Sequence, residues 1–309
     1  SYSQPVEKLI SGEALVRNLL VGKLYHRKVL GASPRTYMGW DIFGHVPQLS
    51  QILAKSDNDG AMWSKGIWGF TPIFLHMSLD GTSLPHKRGE YGHWSRGLDT
   101  LRPVLYDGHV ELKSYGLDND IRLDCSDFKP PTPWIPGNTA YLRQLLPSIY
   151  VNGNGGNLFF ASVKKQLENG EAKIPTTSRD MGYYHQGTAL TRESLKTGNR
   201  LGENALITAE KYATIASLFG ATYPDKAIDK GWRQLLFGQH HDALTGTIND
   251  KSYLDLMQGY RETLDLATEV IEKSLTHIGE EITSLPPAGS PQASVPLAVF
   301  NPLNWDRTD

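Results

Sequence analysis

Apolar residues recur along this chain in two different rhythms, and the change between them near residue 187 is its first organising feature. In the earlier portion Val6, Leu9, Ile10, Val16, Leu19 and Leu20 share one face of a helix predicted over residues 4–20. "RTYMGWDIFGH", residues 35–45, reads as a short apolar strand that Gly44 allows to exit sharply. "VPQLSQILAKS" after it reads as a helix with Pro47 in its first turn. Mixed segments rich in Gly, Trp and Phe follow, among them "GIWGFTPIFLHMSLDG". "GNTAYLRQLLPSIY" predicts a further helix, and "GGNLFFASV" a further strand. This alternation predicts an α/β domain over residues 1–186, mostly parallel strands with helices and barrel-like.

After residue 187 the period is helical. "ENALITAEKYATIASLFG" places Leu206, Ala209, Ala213, Ala216 and Leu218 or Phe219 at helical spacing, with Gly220 available to end the helix. "DKAIDKGWRQLLFG" predicts a second helix. Tyr253, Met257, Tyr260, Leu264, Ala267, Ile271, Leu275, Ile278 and Ile282 step by three or four residues through a long third one, capped by Asn249 or Asp250. Short connections make these a three-helix bundle over residues 187–284. Residues 285–296 read as a Pro/Gly/Ser linker, and residues 297–309, "LAVFNPLNWDRTD", as the strand-like start of a β-rich domain.

Composition narrows the partners. With 39% hydrophobic and 21% charged residues the chain suits a soluble globular protein, and a net charge of −2 gives no electrostatic reason to expect nucleic acid or an anionic membrane. No apolar run approaches the roughly 20 residues that span a bilayer. The single cysteine, Cys125, excludes an internal disulfide and a Cys-rich zinc site. Together with the lack of an N-x-S/T sequon it points towards the cytoplasm, with lysosomal, vacuolar and secreted locations left open. The 7 Trp and 14 Tyr suit a sugar-binding pocket or simply a large core. Acidic residues interrupt the N-terminal apolar stretch, which therefore does not read as a signal peptide, and no initiator Met precedes it.

The chemistry concentrates in "QLLFGQHHDALTGTIND", residues 234–250, where His240, His241 and Asp242 follow an apolar helical run and precede a small-residue turn. Successive helical side chains diverge by about 100°, so the three cannot aim at one ion unless the helix has unwound there. One histidine as ligand with its neighbours on a second layer or on substrate is one arrangement. Histidines at a helix C-terminus with an aspartate capping the next turn is another. A metal-dependent phosphohydrolase using an adjacent His-Asp pair on helices is a third.

"QHHDALTGT" resembles the signature of glycoside hydrolase family 38, the retaining α-mannosidases. "GWDIFGHVPQLSQIL" is similar to that family's nucleophile segment, "YYHQGTALTRESLKTGNRLGENALITAEK" to the stretch opening its helical bundle, and "LAVFNPLNWDRTD" to the start of its β-rich region. The resemblance implies hydrolysis of terminal α-linked mannose from glycans or mannosides with Zn2+ as cofactor. It implies that Asp41 is both nucleophile and zinc ligand and that His241 is a second ligand meeting the same ion. It further implies that Asp242 contacts sugar hydroxyls; His240 is then the neighbour behind the ligand or on substrate, and Tyr184 and His185 line the sugar subsite or simply pack. Retaining hydrolysis also needs a carboxylic acid to protonate the leaving oxygen. In "TTSRDMGYYHQGT" the aligned position is Arg179, and Asp180, one residue later, is the candidate acid/base, with a solvated loop aspartate as the alternative. Asp41 taken alone also fits a capping aspartate at a strand-to-helix turn. "CSDFKPPTP", with Asp127, and "SLPHKRGEYGHWSRG", with His86, His93 and Trp94, read as loops over the pocket.

The family's first strand ends in a His-x-Asp pair that supplies two more ligands, and no such strand precedes residue 35 here. A partial chain is the expected reason, and a relative that binds carbohydrate without metal or activity is the alternative. The expected partner is an α-mannoside or mannose-bearing glycan, with homo-oligomerisation and association with the missing segments left open.

Overall fold

The computed structural model describes residues 1–65, 71–89, 91, 98–124, 126–130, 132–137, 140, 144, 155–182, 184–282 and 297–308. The chain divides into two compact units, Ser1–Gly187 and Thr188–Asp309. Cys125, His93, Trp94, the predicted linker and most of the helix predicted from "GNTAYLRQLLPSIY" lie outside the described residues.

In the first unit, helix α1 (Gly12–Val29) starts where the Ser11 hydroxyl accepts the Ala14 N–H at 3.1 Å. That cap corrects the predicted start at residue 4. The preceding segment folds back along α1, its Tyr2 and Ser3 N–H groups donating to Asn18 Oδ1 at 2.8 and 3.2 Å. Val6 and Ile10 are buried as turn residues rather than helical ones.

Strands β1 (Thr36–Met38), β2 (Gly60–Trp63), β3 (Ile73–Met77), β4 (Ser83–Arg88) and β5 (Thr176–Thr177) form one sheet in the order β1-β2-β4-β3-β5. All pairings are parallel except β3 with β4, which a tight turn joins. Among the described residues β1 and β5 are edges, so the mixed α/β class takes the form of an open sheet and not a closed barrel.

Both faces are covered, as mostly parallel sheets require. On one side Leu49 and Leu53 of α2 (Leu49–Lys55), Leu19 of α1 and Met181 pack on Tyr37, Ala61, Trp63 and Phe74. On the other, Met62 and Ile73 meet Leu112 of α3 (Leu98–Lys113) and Phe159, Phe160 and Val163 of α4 (Gly155–Glu168). β2 is buried along its whole length.

Two readings are corrected here. "GGNLFFASV", expected as a strand, lies in helix α4, whose buried residues Phe159, Phe160, Val163 and Gln166 follow the helical period. The stretch from Ser83 to Arg88, expected as a loop over a pocket, is interior strand β4, with His86 and Lys87 buried. Asp127 is exposed in the segment that follows Asp124, whose carboxylate accepts the Thr132 N–H and hydroxyl at 3.1 and 2.8 Å.

The second unit is helical. α5 (Glu193–Leu218), α6 (Asp225–Gly238) and α8 (Asp250–Glu281) pack on one another, with the single-turn helix α7 (His241–Thr245) between α6 and α8 in sequence. Asn249 caps α8 by accepting the Ser252 N–H at 2.9 Å. Close packing places Gly198 and Gly238 against the Tyr260 ring, whose hydroxyl donates to the Gly238 carbonyl at 2.8 Å. Residues 297–308, expected to begin a β-rich region, contain no strand. They rest on the helices instead, with Phe300 edge-on to Tyr212 at 6.0 Å and the Pro302 carbonyl accepting from Lys211 at 2.8 Å. Among the described residues no helix is long and apolar enough to cross a membrane.

Candidate functional site

The first unit builds one candidate centre beyond the carboxyl ends of β1 and β2, where open α/β sheets hold ligands. β1 closes when the Gly39 N–H donates to the Met62 carbonyl at 2.9 Å, and the chain then turns to drive Ile42 into the core. Asp41 is left between two anchored neighbours, Trp40 and Ile42, both buried. Its carboxylate pairs with the Lys65 ammonium just past the end of β2, and Lys65 also stands over the Phe43 ring at 5.0 Å. Trp40 meets Tyr91 edge-on at 6.0 Å. Lys65 was not singled out from the sequence, because nothing local marks its link to a residue 24 positions earlier.

The Asp41 turn ends at Gly44, at φ +88°, and the His45 N–H donates to the Met181 carbonyl at 3.0 Å. This bridge brings the segment around Asp180 alongside the Asp41 turn. Asp180 is exposed, and its Oδ1 accepts the Gly182 N–H at 2.7 Å in a local turn. Tyr184 is half-buried and its ring lies tilted against His185 at 4.1 Å, and His185 in turn meets Phe43 edge-on at 5.5 Å.

Below this surface runs a buried polar layer. Glu7 accepts from the Tyr37 hydroxyl at 2.7 Å, from His45 Nδ1 at 2.9 Å and from the Val46 N–H at 3.1 Å. Burial first and the Glu7 charge second push the Tyr37 phenol well above its usual range. Nearby, Ser50 Oγ lies 2.9 Å from His76 Nδ1 and 3.0 Å from His86 Nε2, while Trp63 Nε1 donates to His86 Nδ1 at 3.1 Å. Burial lowers the His76 imidazole to about 4, helped by His45 and opposed by Glu7. Burial likewise holds His86 well below the usual histidine range.

The second unit builds the other candidate centre at the break between α6 and α7. α6 ends at Gln239 in near-helical backbone, and His240 then takes φ −48° and ψ 142°, an extended conformation that stops the helix. The break removes the angular objection to convergence. Ligand atoms of His240, His241 and Asp242 all lie within 4.8 Å of one another. His240 Nδ1 accepts the Asp242 N–H at 3.2 Å, so a neutral His240 carries its proton on Nε2. The two imidazoles overlap at 4.1 Å, His241 Nε2 lies 3.7 Å from Asp242 Oδ2, and the Thr247 hydroxyl donates to Asp242 Oδ1 at 2.9 Å. His241 is buried while the Asp242 side chain is 43% exposed, giving one inward and one open-facing donor.

The break is held from behind. Gln239 Nε2 donates to Asn199 Oδ1 at 2.8 Å and to Glu203 Oε1 at 3.0 Å, and Glu203 also pairs with Arg200 at 2.7 Å. Lys196 donates to the carbonyls of Thr191 and Thr245, the latter at 3.2 Å, satisfying the last turn of α7. Gly246 closes that turn at φ +83°. A nitrogen–oxygen donor set of this reach suits zinc or a sugar diol. The phosphohydrolase alternative called for further His and Asp ligands on helices of an all-α protein. Among the described residues this is the one such cluster, and the first unit is built on a sheet.

Comparison with known proteins yields a consistent set of likenesses. The family model described as "Glycosyl hydrolases family 38 N-terminal domain" matches residues 1–88, and "Alpha mannosidase middle domain" matches residues 183–278. Alpha-mannosidase G of Dictyostelium discoideum is 24% identical over 87% of this chain and 25% of its own length. Alpha-mannosidase 2C1 of Mus musculus is 26% identical over 97% of this chain and 29% of its own. The crystal structure of an alpha-mannosidase from Enterococcus faecalis V583 superposes with a TM-score of 0.74 at 21% identity, covering 90% of this chain and 33% of that one. The chain thus spans between a quarter and a third of the length of these relatives.

Proposed function

The chain belongs to glycoside hydrolase family 38, and from that premise we propose that it is part of a zinc-dependent retaining α-mannosidase that removes terminal α-linked mannose from glycans or mannosides. The observation that carries this reading is the convergence of His240, His241 and Asp242 at a helix break held by buried partners. An isolated helix end has no need of such bracing.

In this reading Asp41 attacks the anomeric carbon and Asp180 protonates the leaving oxygen, later taking a proton from the water that releases the sugar. Asp242 accepts hydrogen bonds from sugar hydroxyls, with its Oδ1 oriented by Thr247. Tyr184 and His240 offer ring faces and polar edges to the same sugar. Asp41 and His241 would hold the zinc in the intact polypeptide, where the metal would supply Lewis-acid polarisation of sugar hydroxyls. The partly exposed Asp41–Lys65 pair fits such a site, since an ion pair of this kind is worth only about 0–1 kcal/mol and yields to a stronger cation.

The test is a panel of α1,2-, α1,3- and α1,6-linked mannobiosides given to the full-length protein with and without a chelator. Hydrolysis of at least one linkage, lost on chelation and restored by zinc, is expected. Asp41→Ala is expected to abolish it. Activity of that variant within about tenfold of wild type would remove Asp41 from the chemistry, because loss of a nucleophile costs far more than one decade.

A further inference from the structure

We propose that the adjacent residues Glu7 and Lys8 position the two reacting segments, Glu7 holding the turn that carries Asp41 and Lys8 holding the segment that carries Asp180. The proposal rests on the functional reading above and assigns roles to residues that no motif in the sequence marks.

Glu7 is 2% exposed, and its three donors lie on both sides of Asp41 in sequence: Tyr37 before it, His45 and Val46 after it. Both feet of the Asp41 turn therefore end on one carboxylate. An ionised carboxylate only accepts, so all three partners are fixed as donors and His45 must carry its proton on Nδ1. Shifting either foot would strand a donor in the core.

Lys8 reaches the other way. Its ammonium donates to the Gly182 carbonyl and lies 3.4 Å from the Tyr184 carbonyl. The Gly182 N–H is the group that holds Asp180 Oδ1, so Lys8 anchors, at its carbonyl, the same residue on whose N–H the candidate acid rests. Burial lowers the Lys8 ammonium below its usual range, and Asp180 and then Glu7 oppose that shift. The two segments are joined directly as well, through the His45 N–H and the Met181 carbonyl at 3.0 Å. One dipeptide thus sets the spacing of two carboxylates whose separation governs a retaining mechanism.

A positioning role separates from a general structural one by leaving-group dependence. In the intact protein, kcat/KM reports the first, glycosylation step. It is to be measured with a mannobioside, whose leaving oxygen needs a proton, and with 2,4-dinitrophenyl α-mannoside, whose leaving group needs little. Lys8→Met is expected to lower kcat/KM for the mannobioside about tenfold or more and for the dinitrophenyl substrate less than about threefold, with Lys8→Arg restoring most of the loss. Glu7→Ala, with Glu7→Gln as the milder variant should the first not fold, is expected to lower both substrates together by roughly 10–100-fold. Hydrogen exchange supplies the arm that does not depend on activity: residues 40–47 should exchange faster in the Glu7 variants, and residues 178–186 in Lys8→Met. Equal losses on both substrates in Lys8→Met, or unchanged exchange in either segment, would overturn the proposal. A wild-type protein with no mannosidase activity would instead bring down the functional reading and the catalytic role with it, while exchange would still decide whether the dipeptide holds the two segments.

Discussion

Gly44 shows how much of the first candidate centre hangs on one backbone angle. Its φ of +88° lies in the region open to glycine, and a Cβ there would meet the Met181 carbonyl oxygen at 2.6 Å. Alanine would have to change φ, break the His45–Met181 bridge, or both. Gly44→Ala is expected to destabilise the protein by about 1–3 kcal/mol, the usual cost of a forced left-handed residue with a blocked neighbour. Gly12, where an added Cβ meets nothing within 4 Å, is the control position. Urea-unfolding midpoints for the two alanine variants check this: an unshifted Gly44→Ala midpoint would mean that the turn relaxes without loss. His241 carries a second expectation at this scale. If it ligates zinc, His241→Ala in the intact protein should drop metal content from about one ion per subunit to well below half, by elemental analysis, because loss of one of few ligands weakens a zinc site sharply. Full zinc content in that variant would move the ligand elsewhere.

At the scale of elements the α6–α7 break is the telling feature. Gln239 is fully buried and ties the break to α5 through Asn199 and Glu203. Gln239→Leu would keep the volume and remove the donor, taking from the buried Asn199 Oδ1 the hydrogen bond that Gln239 gives it. A loss of about 1–3 kcal/mol is expected, the cost of an unsatisfied buried polar group, with the helical content of the native state by circular dichroism preserved. A midpoint within experimental error of wild type would show that the network is not what sets the break. The same break marks the limit of what the sequence discloses. Long-period amphipathicity made α6 and α8 readable nearly to the residue, and of the two caps the sequence offered, Asn249 and Asp250, the structure uses Asn249. The chain signature around Asp242 was legible too, but the conformation of His240 was not, since the helix before it is held at Gln239, whose hydrogen-bonded partner Asn199 lies 40 residues upstream. "GGNLFFASV" was misread because a short apolar run satisfies either period, and only Gln166, beyond the run, extends the helical pattern. His86 looked like a loop residue among Gly, Lys and Arg neighbours. Its place in an interior strand depends on pairing with β2 and β3, which leaves no local trace. Glu7 and Lys8 were invisible for the same reason, their partners being 30 to 176 residues away.

Across the whole molecule, the polar layer beneath the Asp41 turn predicts how stability follows pH. Trp63 Nε1 can only donate, so His86 Nδ1 accepts and a neutral His86 donates from Nε2 to Ser50 Oγ. Ser50 then donates to His76 Nδ1, which puts the His76 proton on Nε2. His45 donates to Glu7 from Nδ1. Among the described residues the Nε2 atoms of His76 and His45 are both buried without a protein partner. The run of bonds from Trp63 to His76 is built on neutral rings: a second proton on His86 would set a donor against the Trp63 donor, and one on His76 would take away the acceptor of the Ser50 hydroxyl. That agrees with the lowered affinity of both rings for protons, His76 to about 4. Between the ordinary histidine value of 6.5 and about 4, the unfolded chain therefore binds more protons at these sites than the folded one. Stability should be full above pH 6.5 and fall as pH drops through that window, with a slope of about 1.4 kcal/mol per pH unit for each histidine held neutral. His76→Gln keeps an acceptor for Ser50 and removes one titrating ring, so its midpoint should fall less steeply than wild type over the same range. Urea midpoints followed by tryptophan fluorescence from pH 7.5 to 4.5 measure both slopes. Parallel curves for the two proteins would mean that His76 is protonated in the folded state without penalty, and that the chain of directional bonds does not hold.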